Sequence, residues 1–419
     1  MQEEPLSVIK LEASSREARQ DSGFKYPDDR IMTEIQINRE SLLTLLQKLI
    51  QIDSVNPSLS SKGTGEAVIA RYIGAYLNKL GLAVRFQEIE KNRINVIGIL
   101  KGTGGGPALM LNGHTDTVSA DKMESDPFAA EKKGGKIYGR GALDMKAGVA
   151  ALITAAQTII EAGIKLKGDL ILTLVADEEY ASIGTEAVVD EYTADAAIIC
   201  EPTDLEIVIA HKGFAWIKIE IFGQAAHGSL PHRGIDAIVK AGKVLTAIEH
   251  LGRTDLIRKN HPLLGSPSLH ASLIRGGTEL STYPDYCKLE LERRNLPGED
   301  RQTVTTEIQD LLQNIQGQDD QFKADFDVFF FRPAFEISAD QPIVQTVSRA
   351  CQSIRRQAPK YEGMWGWLDS AILAQAGIPT VIFGPSGDGL HAAVEYVDVD
   401  SVVTTAEVLV RSITNFCNQ

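Results

Sequence analysis

The chain has 419 residues, which is more than one compact core usually holds, so at least two domains are expected. Hydrophobic residues make up 43% and charged residues 23%, as in an ordinary soluble globular protein. The formal net charge of -14 disfavours nucleic acid and anionic membranes as partners, and its simplest consequence is solubility.

The cysteines and the N-terminus limit the class of protein further. The four cysteines are far apart and form no CxxC pair, which predicts buried free thiols rather than disulfides or a cysteine zinc site. Residues 1–33 have no basic region followed by an apolar run, so we expect a polar N-terminal extension and no signal peptide. No apolar stretch is long enough to cross a bilayer, and we expect a cytoplasmic protein.

The first half of the chain alternates helices and strands. Apolar residues at helical spacing predict helices over 41–52, 65–80 and 146–162. Short apolar runs predict strands over 83–88, 95–100, 108–112, 170–176 and 196–200. The glycine-rich segment 101–107 opens no helix, so we expect a hairpin turn there rather than a dinucleotide-binding loop. This alternation is typical of an α/β layered domain.

A different pattern begins at Phe214. Alternating apolar residues predict strands over 215–223, 268–276, 286–294 and 325–333. Helices are predicted between them over 234–251 and 303–314. The order βαββαβ indicates a small antiparallel sheet with two helices, the ferredoxin-like arrangement.

Helix–strand alternation then resumes near Ala339. Helices are predicted over 342–355 and 370–376, and a buried strand over 379–384. We therefore interpret the chain as one α/β catalytic domain in two pieces with an α+β domain inserted. The predicted segments are the N-terminal extension 1–33, the first catalytic piece 34–213, the inserted domain 214–334 and the second catalytic piece 335–419.

Histidine and acidic residues follow the predicted strands. In LNGHTDTV, His114 and Asp116 come at a strand end and point to the same side of an extended chain. A metal-binding histidine needs its second ring nitrogen held, and Asp116 is placed to do so. The alternative is a purely structural histidine–aspartate pair.

Two further acidic segments have similar positions. Asp144, in YGRGALDMKAG, precedes a helix, and its alternative role is that of N-cap for that helix. The strand over 170–176 ends in the acids of residues 177–179, which repel one another unless cations neutralise some of them. A solvated acidic turn is the alternative there.

Glu201 and His391 complete the set. Glu201 directly follows the strand over 196–200, and His391 lies after glycines beyond the strand over 379–384. Open α/β sheets place their sites at the carboxyl ends of strands. Histidine together with carboxylates is a mixed ligand set that suits zinc, cobalt or manganese. The sequence therefore predicts a metal centre.

These motifs resemble the M20 family of metallopeptidases and deacylases. The resemblance runs from about Leu42 to the C-terminus and rests on GHTDTV, GRGALDMKAG, DEE, CEPT, AHGSLPHRGIDAI, ERRNLPGE and GLHAAVEYV. It implies a mixed catalytic sheet with a di-metal site, and an inserted lid domain through which two copies form a homodimer. The two divalent ions would be zinc foremost, with cobalt or manganese as alternatives.

The resemblance also implies roles for the ligands. His114 and Glu201 would hold one ion, and Glu179 and His391 the other. Asp144 would bridge both ions.

The resemblance gives further roles to residues around the ligands. Asp116 would orient His114. Glu178 would be the general base that takes a proton from water and passes it to the leaving nitrogen. A cis peptide bond is expected between Asp144 and Met145.

The resemblance also makes three residues of the inserted domain candidate site residues. His227 would stabilise the oxyanion in the partner subunit's site, and a surface loop histidine is the alternative. Arg294 would grip a substrate carboxylate, and a salt bridge to Glu290 or Glu292 is the alternative. Ser281 stands where many relatives have asparagine, so substrate identity does not transfer directly.

The function that follows is that of a metal-dependent amidohydrolase. It would remove the N-acyl group from a small N-acyl amino acid of the acetylornithine or succinyl-diaminopimelate type. A carboxypeptidase or dipeptidase is the alternative, because the bond broken is chemically the same. A catalytically silent binding protein ranks third, because all five expected ligands and Glu178 are present.

Overall fold

A computed structural model of the chain describes residues 36–419, so the extension predicted over 1–33 lies outside the described residues. The helices of this range are α1 (Arg39–Gln51), α2 (Ala67–Lys79), α3 (Lys146–Glu161), α4 (Ile183–Glu191), α5 (Ala237–Thr254), α6 (Arg301–Gln318), α7 (Pro342–Arg355), α8 (Ser370–Gln375) and α9 (Val399–Cys417). No helix in this range combines the length and apolarity needed to cross a membrane.

The strands are β1 (Ala83–Glu90), β2 (Arg93–Leu100), β3 (Leu109–His114), β4 (Glu131–Lys133), β5 (Lys136–Tyr138), β6 (Leu170–Val175), β7 (Ala196–Ile199), β8 (Ile207–His211), β9 (Gly213–Phe222), β10 (Ser268–Gly276), β11 (Tyr286–Asn295), β12 (Lys323–Arg332), β13 (Phe335–Glu336), β14 (Tyr361–Met364), β15 (Thr380–Ile382), β16 (Gly387–Asp388) and β17 (Tyr396–Asp398). All the predicted helices and strands are present, with ends displaced by a few residues. For example, α5 begins only at Ala237 because the Asp236 side chain caps it by accepting from Val239 N.

The large sheet is mixed, as predicted. Its order is β1-β2-β6-β3-β7-β15-β8-β13, with β14 beside β8. Strands β6, β3, β7 and β15 run parallel, whereas β2 is antiparallel to β6 and β8 is antiparallel to β15. The segment 101–107 is not a hairpin turn, contrary to the prediction, because β6 lies between β2 and β3.

The parallel centre of this sheet positions the acidic segments. Strand β3 lies between β6 and β7 and pairs in parallel with both. All residues of these three strands are buried, as expected for apolar strands covered on both faces. Their carboxyl ends therefore meet at one edge, which brings His114, the acids after β6 and Glu201 to the same place.

The second sheet has the predicted ferredoxin-like order. Strands β10-β11-β9-β12 are all antiparallel, and α5 and α6 pack on them. Alternate residues of β9 are buried in a core that belongs to this sheet and its helices, namely Ala215, Ile217, Ile219 and Ile221. The chain enters this unit after β8 and leaves it through β13, which pairs with β8.

A third sheet, which the periodicity does not predict, lies beside the catalytic edge. Its order is β16-β17-β5-β4; β4 and β5 come from residues 131–138, whereas β16 and β17 come from residues 387–398. The loop between β16 and β17 carries His391, and β5 leads into the segment that carries Asp144. This small sheet therefore joins the last ligand segment to the first half of the chain.

Candidate metal centre

His114 lies buried at the end of β3 with both ring nitrogens engaged. Its Nδ1 is 3.0 Å from the backbone oxygen of Asp116 and 3.5 Å from Asp116 Oδ1. Its Nε2 is 3.0 Å from Asp144 Oδ1 and 3.7 Å from Glu201 Oε1. Asp116 therefore faces the ring through its carbonyl as well as its carboxylate, and Nε2 points at the acids.

Asp144 lies between two histidines. Its Oδ1 faces His114, while its Oδ2 is 3.3 Å from His391 Nε2. His391 Nε2 is also 3.1 Å from Glu179 Oε2. The bond from Asp144 to Met145 is cis, as the resemblance implied. Asp144 is not an N-cap, because Met145 occupies that position before α3 without a side-chain cap bond.

Donor atoms converge in two overlapping groups. Ligand atoms of His114, Glu178 and Glu201 lie within 4.8 Å of one another, and so do those of His114, Asp144 and Glu179. Glu178 Oε2 is 4.0 Å from His114 Nε2, only slightly farther than Glu201 Oε1 at 3.7 Å. The structure therefore brings together all the predicted ligands and the predicted base.

The charge of this cluster suits divalent cations. Burial raises the pKa of Glu178 and Glu201 well above the usual range and that of Glu179 to about 7, and neighbouring acids add to each shift. Glu179 Oε1 is buried and has no hydrogen-bond partner in residues 36–419. The cluster has four carboxylates but only two imidazoles to balance their charge, and Glu179 Oε1 is available as a ligand. The donor set therefore fits bound divalent metal ions.

The sequence model of peptidase family M20/M25/M40 matches residues 110–415. The chain belongs to this family. The predicted resemblance is therefore confirmed, and the chain is a metal-dependent amidohydrolase.

Relatives of this M20 enzyme have several specificities. An N-formyl-4-amino-5-aminomethyl-2-methylpyrimidine deformylase from Bacillus subtilis (strain 168) is 29% identical over 425 residues, covering 93% of this chain and 97% of the relative. An acetylornithine deacetylase from Myxococcus xanthus is 30% identical over 331 residues, covering 78% and 84%. A solved dinuclear metal-binding M20 peptidase from Bacillus subtilis has a TM-score of 0.69 at 18% identity, covering 92% and 98%.

Glu395 supports the centre of this M20 enzyme, although no role for it was predicted. Its Oε1 accepts from the backbone of Leu143 at 2.9 Å and of Asp144 at 3.1 Å. Its Oε2 accepts from Arg140 Nη1 at 2.6 Å and from Gly141 N at 3.1 Å. Glu395 thus fixes the backbone that carries Asp144.

A Glu395→Gln variant is expected to lose about 3–5 kcal/mol of unfolding free energy, because it leaves Arg140 buried without its counter-charge. Urea unfolding of the metal-free protein measures this loss. Glu362→Gln, on the exposed face of β14, is the matched control and should stay within about 0.5 kcal/mol of wild type. Equal stability of the two variants would contradict this role of Glu395.

Asp177, one of the three consecutive acids of which cations were predicted to neutralise some, does not join the ligand cluster. Its Oδ1 lies 2.6 Å from Arg93 Nη2, so a buried guanidinium rather than a metal neutralises it. The sequence offered no signal for this pairing, because Arg93 lies on a different strand.

The candidate residues of the inserted domain bond to partners outside the cluster. His227 and Ser281 are exposed on adjoining loops, where Gly228 N donates to Ser281 O at 2.7 Å. Arg294 Nε donates to Glu292 Oε1 at 2.7 Å, which is the salt bridge weighed as its alternative. Within the described residues, none of the three candidates hydrogen-bonds to the ligand cluster.

Proposed function

We propose that this enzyme removes the N-acyl group from a small N-acyl amino acid, of the acetylornithine or succinyl-diaminopimelate type, at a centre of two divalent ions. The observation that carries this proposal is Asp144, whose two carboxylate oxygens face two different histidines. Relatives named deformylase and deacetylase both remove a small acyl group, which supports deacylation over peptide cleavage.

The proposed ligand set follows the two sides of Asp144. His114 and Glu201, 3.7 Å apart, would hold one ion, and His391 and Glu179, 3.1 Å apart, would hold the other. Zinc is the first candidate because mixed nitrogen and oxygen donors suit it, and cobalt and manganese are the alternatives. When bound, such a pair of ions polarises a carbonyl and lowers the pKa of water.

Glu178 is the proposed general base. Its Oε2, 4.0 Å from His114 Nε2, would take a proton from the attacking water and then deliver it to the leaving nitrogen. Glu178 N and Glu179 N donate to the Asp116 carboxylate at 3.2 Å and 3.3 Å, which fixes the turn that carries the base. Asp116 therefore orients His114 and the base segment together.

Arg294 and Ser281 are the proposed substrate contacts. The ion pair of Arg294 with Glu292 is partly exposed, and such pairs contribute at most about 1 kcal/mol. A substrate carboxylate can therefore replace Glu292 at the guanidinium at little cost. Ser281, with one hydroxyl, offers a single donor to the substrate.

We further propose that residues 214–334 form a lid and that two lids pair in a homodimer. The edge strand β10 supports this arrangement, because Leu273 and Ile274 are 49% and 53% exposed on it. Unpaired edge strands with apolar side chains favour association with a second chain. In this dimer His227 stabilises the oxyanion in the partner's site.

A His227→Ala variant is expected to lose about 10²–10³-fold in kcat, as oxyanion donors do. The matched control is His232→Ala in the same loop, which should keep wild-type turnover. Equal amounts of the His227→Ala and Glu178→Gln proteins can be unfolded, mixed and refolded together. Random pairing makes half of the dimers mixed, and each mixed dimer has one intact site out of two, so roughly a quarter of wild-type activity should return. No recovery in mixed dimers would refute action across the interface.

The substrate class is tested with full-length, zinc-loaded enzyme. N-acetylornithine, N-succinyl-diaminopimelate, other N-acyl amino acids and dipeptides are incubated in parallel, and released acids and amino acids are quantified. We expect preferential release of a small acid from one N-acyl amino acid. Preference for dipeptides would favour the peptidase alternative, which the fold of the dinuclear peptidase equally accommodates. If no substrate were cleaved, the result would favour the alternative of a catalytically silent binding protein.

A further inference from the structure

Arg93, at the start of β2, is a buried cation that bonds to the residue directly before the base. Its side chain is 4% exposed, and its Nε and Nη2 donate to the two oxygens of Glu66 at 2.8 Å and 2.9 Å. Nη2 also donates to Asp177 Oδ1 at 2.6 Å. One planar guanidinium therefore holds two buried carboxylates that belong to different segments.

Asp177 is the first residue of the turn that carries the proposed base, Glu178. Its φ is 70°, and its carbonyl accepts from Ser182 N at 2.6 Å and from Ala181 N at 3.2 Å. Glu178 and Glu179 lie inside this turn. Because the Asp177 side chain is tied to Arg93, the position of the turn depends on the guanidinium.

Asn56 extends the connection to the ligands. Its Nδ2 donates to Asp177 Oδ1 at 2.9 Å and to Asp116 Oδ2 at 2.8 Å. Asp116 in turn faces His114 and accepts from the backbone of the base segment. A continuous chain of buried hydrogen bonds thus runs from the guanidinium to His114.

We propose that Arg93 is a positioning residue of the metal centre. Through Asp177 it fixes the turn that carries Glu178 and Glu179, and through Asn56 it fixes Asp116 and hence His114. This inference rests on the proposed ligand set. Outer partners of metal ligands typically contribute about 10–100-fold to metal affinity, and we expect a similar contribution from Arg93, which acts through Asp177 and Asn56.

Charge and geometry predict opposite effects, so the choice of variant matters. Loss of a positive charge near the site would strengthen cation binding, whereas loss of ligand positioning would weaken it. Arg93→Lys keeps the charge but cannot grip Glu66 and Asp177 with a planar fork, so it isolates the geometric contribution. Glu66→Gln is the matched control, because it leaves the bond from Arg93 to Asp177 in place.

The experiment uses the full chain freed of metal by chelation. Zn²⁺ affinity is measured by competition calorimetry, the Co²⁺ absorption spectrum at saturation reports ligand geometry, and Tm is recorded without metal. For Arg93→Lys we expect an increase in Kd of about tenfold or more and a shifted Co²⁺ spectrum. For Glu66→Gln we expect Kd to change by less than about threefold, with the wild-type spectrum.

Several outcomes would overturn the proposal. One is a wild-type Kd and Co²⁺ spectrum in Arg93→Lys. Another is an equal loss of affinity in both variants that follows their Tm, since that would indicate a merely structural network. Should Arg93→Lys not fold, Asn56→Ala removes the link to Asp116 without a change of charge, and an unaltered spectrum there overturns the proposal. If wild-type protein itself bound no metal, the proposed function would fail instead.

Discussion

Replacement of Glu178 by glutamine is expected to lower kcat by about 10²–10⁴-fold, the usual contribution of general acid–base catalysis. Glutamine keeps the shape of the side chain beside His114, from which Glu178 Oε2 is 4.0 Å away. It cannot take a proton from water or return one to the leaving nitrogen. Steady-state kinetics on the best substrate of the panel, with KM determined separately, measures the effect.

Two controls make this prediction specific. Metal content, measured by mass spectrometry on the same preparation, should remain at the wild-type value because Glu178 is the proposed base rather than a ligand. Glu131→Gln, on the exposed strand β4, makes the same chemical change away from the site and should leave kcat intact. Loss of a metal ion from the Glu178→Gln protein would mean that Glu178 is a ligand. The proposed assignment of Glu178 as the base and Glu201 as the ligand beside His114 would then be wrong.

The second large effect concerns Asp144. An Asp144→Ala variant should lose activity completely and fall from two bound ions to at most one, because each of its oxygens faces a different histidine. Removing a residue that only orients a metal ligand typically lowers metal affinity about 10–100-fold, and removing Asp144 should lower it by more. Calorimetric titration with Zn²⁺ measures both affinity and stoichiometry.

Single-sided variants distinguish a bridge from an ordinary ligand. His391→Ala should lose one ion and keep the other, which His114 and Glu201 still hold. Asp388→Asn, at the exposed end of β16 just before the loop that carries His391, should bind as wild type does. If Asp144→Ala retained two ions, or if its remaining ion were bound as tightly as the one that His391→Ala keeps, Asp144 would not be the bridge.

The position of the site could be predicted because it depends on local patterns. The apolar runs that form β3, β6 and β7 are readable as buried strands, and each is followed by a histidine or an acid. Parallel strands have their carboxyl ends on one edge, so the convergence of His114 and Glu201 follows without knowledge of the full topology.

The surroundings of the site depend on long-range pairing, for which the sequence carries no local signal. The insertion of β6 between β2 and β3 turned a predicted hairpin into a crossing connection. Strands β16 and β17 have only two and three residues, too few for periodicity, although they place Glu395 beside the Asp144 backbone. Likewise, three consecutive acids look equivalent in sequence, but the left-handed backbone at Asp177 turns it toward Arg93.

The proposed function and the role of Arg93 both depend on a di-metal centre bridged by Asp144, which anomalous diffraction from crystals of the zinc-loaded enzyme can reveal. Data collected on both sides of the zinc edge locate each ion without reference to the protein's proposed chemistry. We expect two peaks, one between His114 and Glu201 and one between His391 and Glu179, with Asp144 between them. A single peak, or peaks away from these side chains, would show that Asp144 bridges no pair of ions.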